Sequence, residues 1–389
     1  MNIKQLADNF VMNTYSRFPL TFVDAKGVYL YDEDGKEYLD FTSGIAVNAL
    51  GYSNETIKNA AKEQMEKFFH TSNLYYTEPM AKLAQKLVEK TCFDKVFYAN
   101  SGAEANEAAF KLARKYGYLN KNGASKIISM KNSFHGRTLA TVTLTGQEKY
   151  QKGFSPLVEN VLYATFNDIK SVKELISDDV CAIFVEPIQG EGGLLPAKPE
   201  FLKELRQICD DNNILLIFDE VQTGVGRTGK LYCYQNYGVE PDILTSAKAL
   251  GCGMPIGAML AKDFVAKSFE PGNHASTFGG NPIACACANA LLDEFEEKDI
   301  LSNVNEVGTY LIEQLKTINS SKIKSIRGLG LMVGMELNIE VKDIVLKCIE
   351  KGLLVINAGA KVIRFVPPLI ITKADVDKAV SILKEVIVM

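Results

Sequence analysis

From about residue 55 to residue 285 the chain alternates short apolar runs with helical stretches, and no other feature limits its fold as tightly. Val96 to Ala99, Lys126 to Met130, Cys181 to Val185 and Ile214 to Phe218 are bounded by polar or glycine-containing turns and are rich in β-branched and aromatic residues. Runs this short read as strands, several of them buried on both faces. Between them, Ala103 to Tyr116 and Phe201 to Asn212 carry apolar residues at helical spacing. Strands that alternate with helices predict an α/β fold on a mostly parallel sheet.

Outside this stretch the pattern differs. Val28 to Phe41 is a hairpin by its Asp34-Gly35 turn and flanking β-formers. Residues 286 to 315 are rich in helix. Ile326 to Glu336 is strand-like with glycine breaks, and Leu353 to Ile356 with Val362 to Val366 reads as a strand pair. These segments predict a smaller α+β unit. The expected division is a large α/β domain over 52–285, with 1–51 and 286–389 forming the small one.

Open α/β sheets bind ligands at the carboxyl ends of their strands, so the residues that close each run matter most. Asp219 closes the run ending at Phe218. Lys248 follows the next run, in Asp242 to Gly251. An acid and a lysine at neighbouring strand ends suit pyridoxal 5′-phosphate (PLP). The lysine amine condenses with the cofactor aldehyde, and the acid keeps the pyridine nitrogen protonated so that the ring accepts electrons. A lysine alone in such a place is an ordinary surface residue; the pair carries the reading.

Four further segments fall at predicted strand ends or turns. Asn100 to Glu107 sits between a strand and a helix, where free N–H groups make a phosphate cup; by itself it reads first as ordinary N-capping by Ser101, and the phosphate reading gains beside a cofactor lysine. Phe134 to Thr138 offers an aromatic ring for stacking and Arg137 for a carboxylate. Glu186 to Gly193 ends another strand and sets Glu191 between glycines. His274 to Pro282 is polar and tight, with hydroxyls suited to an anion.

The segment Gly224 to Gly229 matches G-x-G-x-x-G, the mark of a dinucleotide site. That site requires a helix opening at the glycines and an acid at the end of the next strand. Here no helical period follows, and Asp242 precedes the next apolar run. A glycine-rich turn is the expectation.

Composition narrows the partners. The net charge of −4 and the interspersed charges imply no attraction to nucleic acid or membrane. The eight cysteines form no C-x-x-C, and with three histidines no metal site is expected. Reduced thiols and a polar, early-acidic N-terminal segment predict a cytoplasmic protein.

Taken together, Gly44 to Gly51, Asn100 to Ala108, Phe134 to Thr138, Thr145 to Tyr150, Phe218 to Gly224 and Ser276 to Asn281 resemble the class III PLP-dependent aminotransferases, from about Tyr15 to the C-terminus. The first, third and fourth of these are closest to the branch that acts on N-acetylornithine. One departure is Tyr52-Ser-Asn54, where the family carries a histidine after the glycine.

The resemblance implies fold-type-I architecture and a homodimer with shared active sites. It implies that Lys248 carries the cofactor, Asp219 pairs with the ring nitrogen and Gln222 lies near the ring hydroxyl. Ser101, Gly102 and Ala103 hold the phosphate, Phe134 covers the ring, and Glu186 and Val221 are further cofactor contacts. Thr277 reaches the phosphate from the other subunit. Arg137 and Ser276 meet a substrate carboxylate, and Glu191 and Arg364 form a switch pair. The implied reaction passes an amino group from acetylornithine to 2-oxoglutarate. Ornithine, succinylornithine, 4-aminobutyrate and N-succinyl-diaminopimelate are rival substrates. A nicotinamide oxidoreductase and a binding protein without activity are the readings from other classes.

Overall fold

The computed structural model describes residues 1–388. Its centre is a seven-stranded sheet. Across it the strands run Lys95–Ala99, Gly257–Ala261, Ile243–Ser246, Leu215–Asp219, Val180–Val185, Lys126–Met130 and Val161–Ala164. Only Gly257–Ala261 runs against its neighbours; the other pairings are parallel. Val180–Val185 and Leu215–Asp219 are buried at every position, as the apolar runs through Val185 and Phe218 predict. The helix Gly102–Asn120 packs on the sheet through Ala105, Ala109, Leu112 and Ala113. These small side chains bring it close, so its N-terminus lies at the sheet edge where ligands bind.

The N-terminal hairpin forms as expected, with Tyr29–Asp32 antiparallel to Glu37–Asp40. The Asp32 carboxylate closes its turn by accepting from the N–H groups of Asp34 and Lys36. An additional strand, Phe22–Lys26, pairs outside it. Tyr52, where the resemblance leads one to expect histidine, donates its hydroxyl to Asp40 at 2.7 Å and anchors this region.

The C-terminal strands depart from the simple pair expected. Leu353–Leu354 lies parallel to Glu37–Asp40, and only Ile356–Asn357 pairs with Val362–Phe365. The run Leu353 to Ile356 therefore changes sheets midway. The second small sheet has the order Ile323–Leu329, Met332–Leu337, Val362–Phe365, Ile356–Asn357.

No helix opens at the glycine-rich turn. Gly226 and Gly229 take φ of 82° and 85°, and the next helix, Tyr234–Tyr237, has four residues. The turn instead buries Arg227 completely, and its guanidinium donates to the carbonyls of Leu331 and Pro367. The turn thus ties the central sheet to the C-terminal one, and the dinucleotide reading has no structural basis.

Among the described residues all eight cysteines are unpaired, no helix is long and apolar enough to cross a membrane, and no group of three or more His, Cys, Asp or Glu side chains is placed to hold a metal.

Candidate active site

Asp219 ends its strand level with Thr245 of the neighbouring parallel strand, and Lys248 follows three residues on. Both line a cavity of about 620 Å³. The chain turns sharply at this lysine. Lys248 has φ of 47°, a conformation that costs a non-glycine residue about 1–3 kcal/mol and that recurs at functional sites.

The Asp219 carboxylate is 4% exposed and both of its oxygens accept hydrogen bonds. One accepts from the Val221 N–H at 3.0 Å. The other lies 2.7 Å from His135 Nδ1 and accepts from Asn106 Nδ2 at 2.8 Å. Because a carboxylate accepts, Nδ1 carries the imidazole proton; Nε2 is buried without a partner. Asn106 is itself aimed by the Thr245 hydroxyl, which donates to its Oδ1 at 2.6 Å. Neighbouring Glu220 turns the other way and accepts from the N–H groups of Cys233 and Tyr234. Burial pushes its carboxyl up to about 7.

The helix Gly102–Asn120 opens into the same cavity. The Ser101 hydroxyl accepts from the Glu104 N–H at 3.2 Å. The N–H groups of Gly102 and Ala103 belong to the first turn, which has no intrahelical acceptors. Gly102 is required, because a Cβ there would stand 2.6 Å from a methyl of Val221. Gly136, at φ of 138°, lets the 134–137 loop touch this helix start; its Cβ would lie 2.8 Å from that of Ala103.

That loop brings Phe134 and Arg137 to the cavity wall. Arg137 is exposed, and its guanidinium lies 4.3 Å from the centre of the Tyr150 ring, which meets Phe134 edge-on. Glu186 is buried. Its carboxylate accepts from the Phe134 and Gly190 N–H groups at 3.0 and 3.3 Å. Burial, with Asp219 close by, pushes its carboxyl well above the usual range.

Arg364 is 2% exposed. Its Nη1 donates to Glu191 and, at 3.1 Å, to Gln222 Oε1, while Nε has no partner. Burial alone pushes the Glu191 carboxyl up, but the Arg364 charge and hydrogen bond outweigh it and hold the group below its ordinary value. The Lys248 amine is pushed down to about 8, first by burial and then by the Arg364 charge, against the opposing pull of Glu191, Asp219 and Glu186.

The cavity therefore gathers Ser101, Gly102, Ala103, Phe134, Arg137, Glu186, Asp219, Val221, Gln222 and Lys248, with Arg364 and Glu191 adjoining through Gln222. Ser276 and Thr277 line a different cavity, of about 510 Å³. Ser276 meets the first one only through its hydroxyl, which accepts from Asn100 at 3.1 Å. His135, Asn106 and Tyr150 received no role from sequence, although each lies in a segment that carries the resemblance. A buried acid at Asp219, needing donors from elsewhere in the chain, was the one available signal.

The family model described as Aminotransferase class-III matches residues 10–387. A protein from Aquifex aeolicus named acetylornithine aminotransferase is 52% identical, over 97% of this chain and 100% of its own length. One from Photorhabdus laumondii named succinylornithine transaminase is 48% identical, over 98% and 96%. Among solved structures, the ornithine aminotransferase of Toxoplasma gondii matches with a TM-score of 0.95 at 32% identity, covering 99% of this chain and 94% of that one.

Proposed function

We propose the function of this chain on one premise: it belongs to the class-III aminotransferases, whose family model spans nearly its whole length. It is an enzyme that transfers amino groups with PLP as cofactor. Within the family, our reading is that it moves the terminal amine of N2-acetyl-L-ornithine to 2-oxoglutarate. The products are N-acetyl-L-glutamate 5-semialdehyde and L-glutamate, a step of arginine biosynthesis. The names of relatives at about half identity support this reading.

The cavity suits the cofactor on features of this chain. A carboxylate stands ready for a ring nitrogen, two N–H groups at a helix start are free for a phosphate, and a strained lysine reaches the same space. When bound, PLP supplies an aldehyde that takes up the amino group and a protonated ring that accepts an electron pair. In our reading Asp219 holds the ring proton, fixed by His135 and Asn106. Gly102, Ala103 and Ser101 hold the phosphate, while Phe134, Val221, Glu186 and Gln222 enclose the ring. The Lys248 amine moves the proton of the substrate carbon.

The observation that carries the reading of a terminal-amine donor is the Glu191–Arg364 pair, and the relatives' names carry the acetyl group. Acetylornithine has no carboxylate on its reacting carbon, and Glu191 neutralises Arg364 while it binds. Its distant carboxylate meets Arg137. Glutamate and 2-oxoglutarate bring a carboxylate to the reacting carbon, which takes the place of Glu191 on Arg364. The test is a single-turnover panel on the cofactor-loaded enzyme. N-acetylornithine should donate its amine about tenfold faster than ornithine or 4-aminobutyrate at equal concentration. A preference for N-succinylornithine would move the acyl specificity, and a preference for 4-aminobutyrate would overturn the named substrate.

The lysine shift gives a pH dependence. A neutral amine attacks an aldehyde and an ammonium does not. Burial disfavours the charged form, so the neutral amine appears near pH 8 and not near the ordinary 10.5. Capture of PLP by the cofactor-free protein should therefore accelerate between about pH 7 and pH 9 and then level off. The absorbance of the bound cofactor follows it. A rate that keeps rising to about pH 10 would show an unshifted amine.

We further propose a homodimer in which Thr277 serves the partner's phosphate site. Large exposed side chains support it: Phe10, Leu74, Tyr75, Tyr76 and Phe278 are each more than half accessible. A large unit over 52–285 with a small one over 1–51 and 286–389 is our division of the chain, supported by the pairing of Leu353–Leu354 with Glu37–Asp40. A cytoplasmic location is in keeping with eight unpaired cysteines.

A further inference from the structure

Glu191 sits in the turn of a short hairpin between Ile188–Gln189 and Leu195–Pro196. This turn does not hang free; it lies across the sheet that carries Arg364. In that sheet Arg327 pairs with Gly334, and Gly334 pairs with Arg364, so the three residues form one row across three antiparallel strands. Directly opposed residues in an antiparallel ladder point to the same face. The two arginines therefore flank a glycine on one side of the sheet.

The turn rests on this row at each position. The Glu191 side chain pairs with Arg364 at one end. Leu194, fully buried, covers Gly334, where an added Cβ would lie 3.0 Å from that of Leu194. At the other end Arg327 donates from Nη2 to the Gly193 carbonyl at 2.6 Å and from Nε to the Leu194 carbonyl at 3.0 Å. Its third nitrogen is held by Glu336 at 2.6 Å and by the Ser325 hydroxyl at 2.7 Å. The planar guanidinium reaches two consecutive carbonyls at once in a fixed fork, where a lysine would offer a point charge on a flexible stem. The turn also needs this hold. Leu194 has φ of 51°, a conformation that costs a non-glycine residue about 1–3 kcal/mol and persists where surrounding contacts hold it.

We infer that Arg327 is a positioning residue for Glu191, pinning the backbone beside it so that the carboxylate leaves Arg364 by side-chain rotation while the turn stays in place. This rests on the reading of Glu191 as the switch. Glu191 is needed against Arg364 only when the substrate brings no carboxylate to the reacting carbon. A loosened turn therefore harms the acetylornithine half-reaction and spares the 2-oxoglutarate half. A residue with a merely structural role would slow both together.

The experiment uses Arg327→Met, Arg327→Lys and Glu191→Ala in the cofactor-loaded enzyme. Each half-reaction is measured separately, with amide hydrogen exchange followed over residues 192–195. Arg327→Met should slow the N-acetylornithine half about tenfold and leave the 2-oxoglutarate half within about twofold. Exchange in 192–195 should rise about tenfold or more, with Leu215–Asp219 unchanged as the check on folding. Arg327→Lys should recover part of both effects. Equal loss in the two halves, or unchanged exchange in the turn, overturns the inference. Glu191→Ala separates the two readings. If it also slows both halves equally, the switch itself fails, and the exchange result still decides whether Arg327 pins the turn. If Glu191→Ala splits the halves and Arg327→Met does not, only the pinning role is lost.

Discussion

Lys248→Ala should lower turnover by about four orders of magnitude, with the protein still folded and still able to bind PLP through its phosphate. Lys248 lies on the cavity wall with its amine pushed down to about 8, so about a tenth of it is neutral at pH 7, against well under a hundredth for an unperturbed lysine. Among the described residues no other lysine lines this cavity. The nearby acids cannot replace it as the proton carrier. Asp219 is committed to His135, Asn106 and the Val221 N–H, and Glu191 is committed to Arg364. In the proposed mechanism alanine also removes the group that condenses with the cofactor aldehyde. Steady-state assays with N-acetylornithine and 2-oxoglutarate measure the loss, and thermal denaturation checks the fold. Turnover within about tenfold of the wild type would place the proton transfer on another residue.

Asp219→Asn should be the second-largest effect, a loss of about 10²–10³ in rate with cofactor retained. The two side chains have the same shape, so the cavity is preserved. An amide carries no charge and holds a pyridinium proton poorly. It also meets a mismatch. One carboxylate oxygen faces the Val221 N–H and the other faces both His135 Nδ1–H and Asn106 Nδ2. Whichever way the amide turns, its NH₂ meets a donor. Leaving such a buried donor unsatisfied costs about 1–3 kcal/mol, so some stability should be lost as well. Single-turnover rates with N-acetylornithine read the first effect, and a lowered Tm reads the second. A near-normal rate would mean that the electron sink does not depend on this acid.

Much of this site is legible in the chain because strand ends are legible. Leu215–Asp219 and Val180–Val185 are buried throughout, so their sequence is an unbroken apolar run and the polar residue that closes it stands out. Asp219 follows from that reading, and Lys248 from its place after the next run, Ile243–Ser246, beside that acid. Phe22–Lys26 escaped it because it is an edge strand, largely exposed, with neither an apolar run nor a clean alternation. The change of partner within Leu353 to Ile356 is equally invisible, since both halves are apolar and either sheet would accept them.

The support around the site is the part that sequence hides. His135 and Asn106 lie 84 and 113 residues from Asp219, and no spacing rule joins them. Tyr150 meets Arg137 across a loop, and Arg327 meets Leu194 from 133 residues away. These contacts depend on how the layers pack, which periodicity does not encode. The G-x-G-x-x-G segment shows the reverse case. Its pattern suggested a nucleotide site, while the missing helical period after it indicated a turn, and the fold makes it the seat of a buried arginine.

The central claim is that Lys248 is the amine that holds PLP in this cavity, beside Asp219. The most direct measurement is to load the wild-type protein with PLP, fix the linkage with borohydride, digest the protein and locate the modified residue by mass spectrometry. The expected result is one modified lysine per chain, in the peptide containing Asp242 to Gly251, and no modification in the Lys248→Ala protein. A modification centred on any other lysine, or one that persists in Lys248→Ala at wild-type level, would contradict the assignment and the mechanism built on it.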